Sequence, residues 1–120
     1  MELTVKVEEK IPVLAIAGEI DHFVAPKLQR QIDELIDAGN DRLVFDFSSV
    51  NYLDSGGIGV LFNAMQQLAP RQGRMGIVCE DANVIRILEL VGLFDKRTNV
   101  LLFGRKDKAL KALEGKIEVG

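Results

Sequence analysis

The hydrophobic period of this chain switches repeatedly between two residues and nearly four, and few folds satisfy such switching. Leu3, Val5 and Val7 alternate with Thr4, Lys6 and Glu8, the pattern of a strand with one buried face. Glu9-Lys10 fits a tight turn. Ile11 to Ala17 runs apolar, as a more central strand does, with Pro12 suited to a strand end or an edge. Strands this close together pair as an antiparallel hairpin. Beyond Gly18-Glu19-Ile20-Asp21 the period becomes helical. Leu28, Ile32, Leu35 and Ile36 share one face, Pro26 suits the first turn, and Gly39-Asn40 ends the helix.

The alternation then continues. Arg42 to Phe47 reads as a short buried strand and Ser48 to Asp54 as a connector. Ile58, Leu61, Phe62, Met65 and Leu68 mark a second helix stopped by Pro70, and Met75 to Cys79 is another buried strand. Val84, Ile87, Leu88 and Val91 give a third helical face, with Gly92 as a left-handed cap and Leu93 as the apolar residue beyond it. Val100 to Phe103 is the last strand. Lys106 to Glu114 is a charged helix with Leu110 and Leu113 inward. Strands and helices in this order predict an α/β domain: a five-stranded mixed sheet, opening on an antiparallel hairpin and otherwise parallel, with about four helices. Right-handed crossovers place the helices according to strand order. No repeat or linker interrupts the pattern. A single domain is expected over 1–114, and residues 115–120 are expected to be a frayed tail.

Composition narrows the function. The chain has 120 residues, 48% of them apolar, which is enough for a core and excludes disorder of the whole. With 18 acids against 15 bases, it lacks the basic footprint expected of a partner for nucleic acid or an anionic membrane. Its single cysteine, Cys79, excludes an internal disulfide, and its single histidine, His22, excludes multi-histidine metal sites. Trp is absent and only six Phe and one Tyr are present, a poor supply for base stacking. The N-terminal residues alternate apolar and charged, unlike a leader, and no run approaches the roughly 20 apolar residues of a membrane span. A cytoplasmic location is expected, and the unpaired cysteine suits a reducing compartment.

The most unusual stretch is Tyr52-Leu53-Asp54-Ser55-Gly56-Gly57-Ile58-Gly59-Val60. Glycine costs about 1 kcal/mol against alanine inside a helix, so its use at a helix start is conformational or steric. Ser55 falls at or beside the N-cap, where its hydroxyl is suited to accept from an N–H of the first turn. Ordinary capping and close helix–strand packing also account for these residues. Enzyme motifs fit less well. No Lys follows the glycines as a P-loop requires; Phe62 stands where a dinucleotide fingerprint needs Gly or Ala; and Leu53 stands where a nucleophile elbow needs Gly. With no base nearby, Ser55 is better suited to being modified than to attacking a substrate. A phosphate there adds a charge of about −1.5 to −2, which a helix N-terminus accommodates. Beside Asp54, and with Asp21 expected at the same sheet edge, that charge would disrupt a docked partner without breaking the fold.

Leu53-Asp54-Ser55-Gly56-Gly57-Ile58-Gly59-Val60-Leu61 resembles the signature of STAS domains, and of bacterial anti-sigma factor antagonists in particular. Gly18-Glu19-Ile20-Asp21-His22, with Ala25 and Leu28, resembles the segment this family carries after its second strand. Leu43-Val44-Phe45-Asp46-Phe47-Ser48-Ser49-Val50 is similar to its strand leading into the serine loop. The resemblance spans about Leu3 to Glu114 and implies a STAS-like fold. It implies binding to an anti-sigma factor, often a serine kinase, so that a sigma factor is released. That kinase phosphorylates the serine matching Ser55 and ends binding; a phosphatase restores it. The surface so implied comprises Asp21, His22, Asp54, Ser55, Gly56, Gly57 and Gly59, with no cofactor or metal. At Gly56 the family commonly has Ser, Ala or Thr. A STAS module in a stressosome-like or transporter-accessory complex, without a kinase switch, is the alternative.

Other residues have plainer readings. Cys79 is expected as a small buried hydrophobe. Asp46 resembles a receiver-domain phosphoacceptor only superficially, because Val7-Glu8-Glu9 leads into a hairpin and not a helix. Lys106, Asp107, Lys108, Lys111 and Glu114 form a mixed-charge, solvated face.

Overall fold

The computed structural model describes residues 1–114. The elements run β1 (Glu2–Glu8), β2 (Ile11–Ile20), α1 (Ala25–Asp37), β3 (Arg42–Leu53), α2 (Ser55–Leu68), a 3-10 turn (Ala69–Arg71), β4 (Arg74–Val78), α3 (Ala82–Leu90), β5 (Val100–Phe103) and α4 (Lys106–Glu114). Residues 115–120, expected as a tail, lie outside the described part. Five strands form one sheet in chain order, β1 antiparallel to β2 and all others parallel. Glu9 and Lys10 turn the hairpin with φ of 56° and 68°, the left-handed pair whose twist matches a two-residue loop.

Consecutive parallel neighbours joined by right-handed crossovers put all their connecting helices on one face. The larger core lies there. Leu14 and Ile16 of β2, Phe45 and Phe47 of β3 and Ile77 of β4 meet Leu28, Ile32 and Ile36 of α1, Leu61 and Leu68 of α2, and Val84 and Leu88 of α3. Burial of each large side chain contributes about 1.5–3 kcal/mol. The alternate residues Ile11, Val13, Val44 and Val78 face the other way and pack under Ala109, Leu110 and Leu113 of α4. Burial on both faces explains the unbroken apolar runs of β2, β3 and β4. The backbone carbonyl of Leu113 accepts from Arg42 Nη1 at 2.9 Å, which ties the end of α4 to the sheet.

Four expectations are corrected. Ser48 to Leu53 is strand, not connector: β3 runs on beside an equally extended β2, pairing Ala17 with Ser49, Gly18 with Val50, Glu19 with Tyr52 and Ile20 with Leu53. Val7 is 67% exposed, near the hairpin end of the edge strand β1. Val91 lies past the end of α3 as its C-cap and is exposed, while Gly92 (φ 83°) and the fully buried Leu93 turn the chain as expected. On α2 the buried line is Gly57, Val60, Leu61, Ala64 and Leu68, leaving Ile58, Phe62 and Met65 only half-buried. Gly57 faces inward because α2 starts close against Leu53 and Ile20 of the sheet; further along, α2 packs on α1, where Gln67 Nε2 donates to Asp33 Oδ1 at 3.0 Å.

Candidate functional site

Pairing of Ile20 with Leu53 fixes the geometry of the site. The next residue of each strand is an aspartate, so Asp21 and Asp54 leave the sheet side by side at the C-terminal edge of the parallel pair. Each carboxylate turns back on local backbone. Asp21 Oδ1 accepts from the N–H groups of Phe23 (3.0 Å) and Val24 (3.1 Å), organising the turn into α1. Asp54 caps α2, with Oδ1 accepting from Gly56 N–H at 2.8 Å.

The second oxygen of Asp54 joins the two turns. Oδ2 accepts from the backbone N–H of His22 at 3.3 Å and lies 3.4 Å from His22 Nδ1. A carboxylate can only accept, so Nδ1 carries the proton in that pair. The imidazole is 69% exposed and the contact long, so it orients more than it stabilises. Partial burial pushes the Asp54 carboxyl up, but the Gly56 N–H, the His22 side chain and the His22 and Gly57 N–H groups outweigh it. The group therefore titrates below its ordinary value of 3.8.

Ser55 is the first residue of α2 and is exposed. It is not the cap: that task falls to Asp54, whose side chain holds the first-turn N–H. The serine is thus displayed at a positive helix end with its hydroxyl not committed to capping. The neighbouring glycines differ in role. A Cβ at Gly56 would lie 2.7 Å from His22 Cα and 3.1 Å from His22 N, so the His22 turn rests directly on the backbone of α2. A Cβ at Gly57 would lie 2.5 Å from Leu53 Cδ1 and 2.7 Å from Ile20 Cγ2. Gly57 is buried and serves packing beneath the surface, while a Cβ at Gly59 would meet open space.

Of the residues expected from the sequence, the structure gathers Asp21, His22, Asp54, Ser55 and Gly56 at one edge, with Gly57 beneath and Gly59 one turn along. Two aromatic residues adjoin these in sequence, Phe23 after His22 and Tyr52 before Leu53. Phe23 is 80% exposed and Tyr52 48% exposed. The signal in the sequence was an aromatic residue outside every periodic face. Elsewhere, Cys79 is buried as expected, and Lys106 is half-buried, its Nζ 2.9 Å from Glu8 Oε2. Among the described residues no three His, Cys, Asp or Glu gather as a metal site, and no helix is long and apolar enough to cross a membrane.

Known proteins are similar to this chain in sequence and in fold. The anti-sigma-F factor antagonist RsfB of Mycobacterium tuberculosis is 31% identical over 113 residues, covering 94% of this chain and 89% of that protein. The crystal structure of an anti-sigma factor antagonist from Mycobacterium paratuberculosis superposes with a TM-score of 0.83 at 30% identity, covering 95% of this chain and 94% of the other. The fold is also that of the Bacillus cell fate determinant SpoIIAA in its phosphorylated form, with a TM-score of 0.73 at 18% identity and coverage of 92% and 98%. The family model of the STAS domain matches residues 2–109, which is nearly all of the described chain, and the protein belongs to that family.

Proposed function

We propose that this protein is an anti-sigma factor antagonist switched by phosphorylation of Ser55. Unmodified, it binds an anti-sigma factor at the edge formed by Asp21, His22, Asp54, Ser55 and Gly56, and so frees a sigma factor. The anti-sigma factor is a serine kinase. It supplies ATP and the base: the Ser55 hydroxyl attacks the γ-phosphorus, its proton passes to the kinase, and ADP leaves. A serine phosphatase reverses the step by hydrolysis. The protein contributes no catalytic group and needs no cofactor; its work is presentation.

The observation that carries this reading is the division of labour at the start of α2. Asp54 does the capping, which leaves Ser55 exposed and uncommitted at the helix N-terminus. That position suits a phosphate, because unsatisfied N–H groups and the macrodipole favour an anion. The fold survives while the surface changes. A net charge of −3 becomes about −4.5 to −5, all of the change beside Asp54. A partner fitted to the neutral surface meets like-charge repulsion and uncompensated desolvation. The names of the relatives support the same reading, including a SpoIIAA structure in a phosphorylated form.

The test is incubation with ATP and the kinase anti-sigma factor of the same organism, then mapping of phosphate by mass spectrometry. Phosphate on Ser55, and none on a Ser55→Ala variant, is expected. An unmodified Ser55 after complete kinase turnover on a control substrate overturns the proposal.

A further inference from the structure

The first turn after β2 presents an aromatic side chain that the fold does not use. Phe23 is 80% exposed. Single exposed hydrophobic residues are common and by themselves say nothing. This one differs in how firmly it is held. Its N–H donates to Asp21 Oδ1 at 3.0 Å, and the following N–H, of Val24, donates to the same oxygen. Its ring stacks on the His22 imidazole, centroids 4.3 Å apart and tilted by 33°. His22 in turn is bonded to Asp54, the cap of the helix that carries Ser55, and rests on the bare backbone of Gly56. Phe23 is therefore fixed relative to Ser55 through a short chain of contacts.

An aromatic side chain held in advance in one position suits an anchor, because little freedom is lost when it docks. Its surroundings define what it docks into. Asp21, bonded to the Phe23 N–H, and Asp54, bonded to the N–H of the adjacent His22, place two carboxylates beside it. We propose that Phe23 is the apolar anchor of the docking surface, and that the partner receives it in a phenyl-sized apolar pocket rimmed by Lys or Arg. This rests on the reading of Ser55 given above and adds the contact that supplies affinity. Ser55 decides whether docking is permitted; Phe23 decides how tightly it holds.

The test measures binding of the same kinase anti-sigma factor to wild type, Phe23→Ala, Phe23→Leu and Ser55→Asp, with steady-state kinetics of Ser55 phosphorylation alongside. Phe23→Ala is expected to weaken binding at least about tenfold and to raise KM to match, with kcat within about twofold; Phe23→Leu falls between. Its thermal midpoint stays at the wild-type value because the ring is exposed, and rising salt weakens the wild-type complex. Wild-type affinity in Phe23→Ala, with binding lost in Ser55→Asp, overturns this inference and leaves the switch standing. Wild-type affinity in both variants overturns the two together. A thermal midpoint lowered by several degrees in Phe23→Ala marks the ring as structural and also overturns the anchor. An affinity indifferent to salt overturns the basic rim.

Discussion

His22 lies so close to Gly56 that no side chain fits between them: a Cβ at position 56 would sit 2.7 Å from His22 Cα. This approach lets the turn after β2 close on the first turn of α2. Gly57 has the same tightness on its buried side, against Leu53 and Ile20. Gly56→Ala and Gly57→Ala should each destabilise by about 1–3 kcal/mol through overpacking, outweighing the gain in helix propensity. Gly59→Ala, with nothing within 4 Å, should stabilise by about 0.5–1 kcal/mol. Urea unfolding of the three variants checks both signs.

How far such features were legible depends on their range. The bounds of β5 and α4 follow from local pattern and agree with the structure. The second half of β3 does not, because register shifts between Ala15 and Ala17, and between Gly18 and Glu19, break the alternation that identifies a strand. Ser48-Ser49, exposed in mid-strand, then read as loop. The large residues of α2 mark the helix but not the whole of its inward face, because close packing also uses Gly57 and Ala64. Asp21, Asp54 and Ser55 stood out locally. The bond between His22 and Asp54, 32 residues apart, is a product of strand pairing, and no local pattern contains it.

Asp54 joins cap and clasp in one carboxylate. Asp54→Ala should lower the thermal midpoint by several degrees and loosen the His22 turn. Acid should act on the same group. The folded carboxyl titrates below the ordinary 3.8, so its contribution is complete above that value and is lost as pH falls through the folded pKa. Wild-type stability should therefore decline below about pH 4 more steeply than that of Asp54→Asn. Thermal melts from pH 7 down to about pH 3 provide the comparison.

The hairpin turn offers a stabilising change. Glu9 and Lys10 both adopt positive φ, at a cost of about 1–2 kcal/mol for each residue with a Cβ. Replacing them by Asn-Gly, the pair this turn prefers, should stabilise by about 1 kcal/mol without touching the Ser55 edge. A higher urea midpoint with an unchanged slope is the expected result.

Cys79 lies buried at the end of β4, and burial pushes its thiol above the ordinary 9.0. Iodoacetamide at pH 8 should leave the native protein unlabelled over a period that fully labels the urea-unfolded chain. Mass spectrometry reads the difference directly.

The most direct test of the switch is the dissociation constant for the kinase anti-sigma factor, measured with unmodified protein and with the same protein carrying phosphate on Ser55. Exposed placement at the cap-flanking position of α2 predicts an intact fold and an affinity lower by about a hundredfold or more in the phosphorylated form. Equal dissociation constants for the two forms, with both folded, would contradict it.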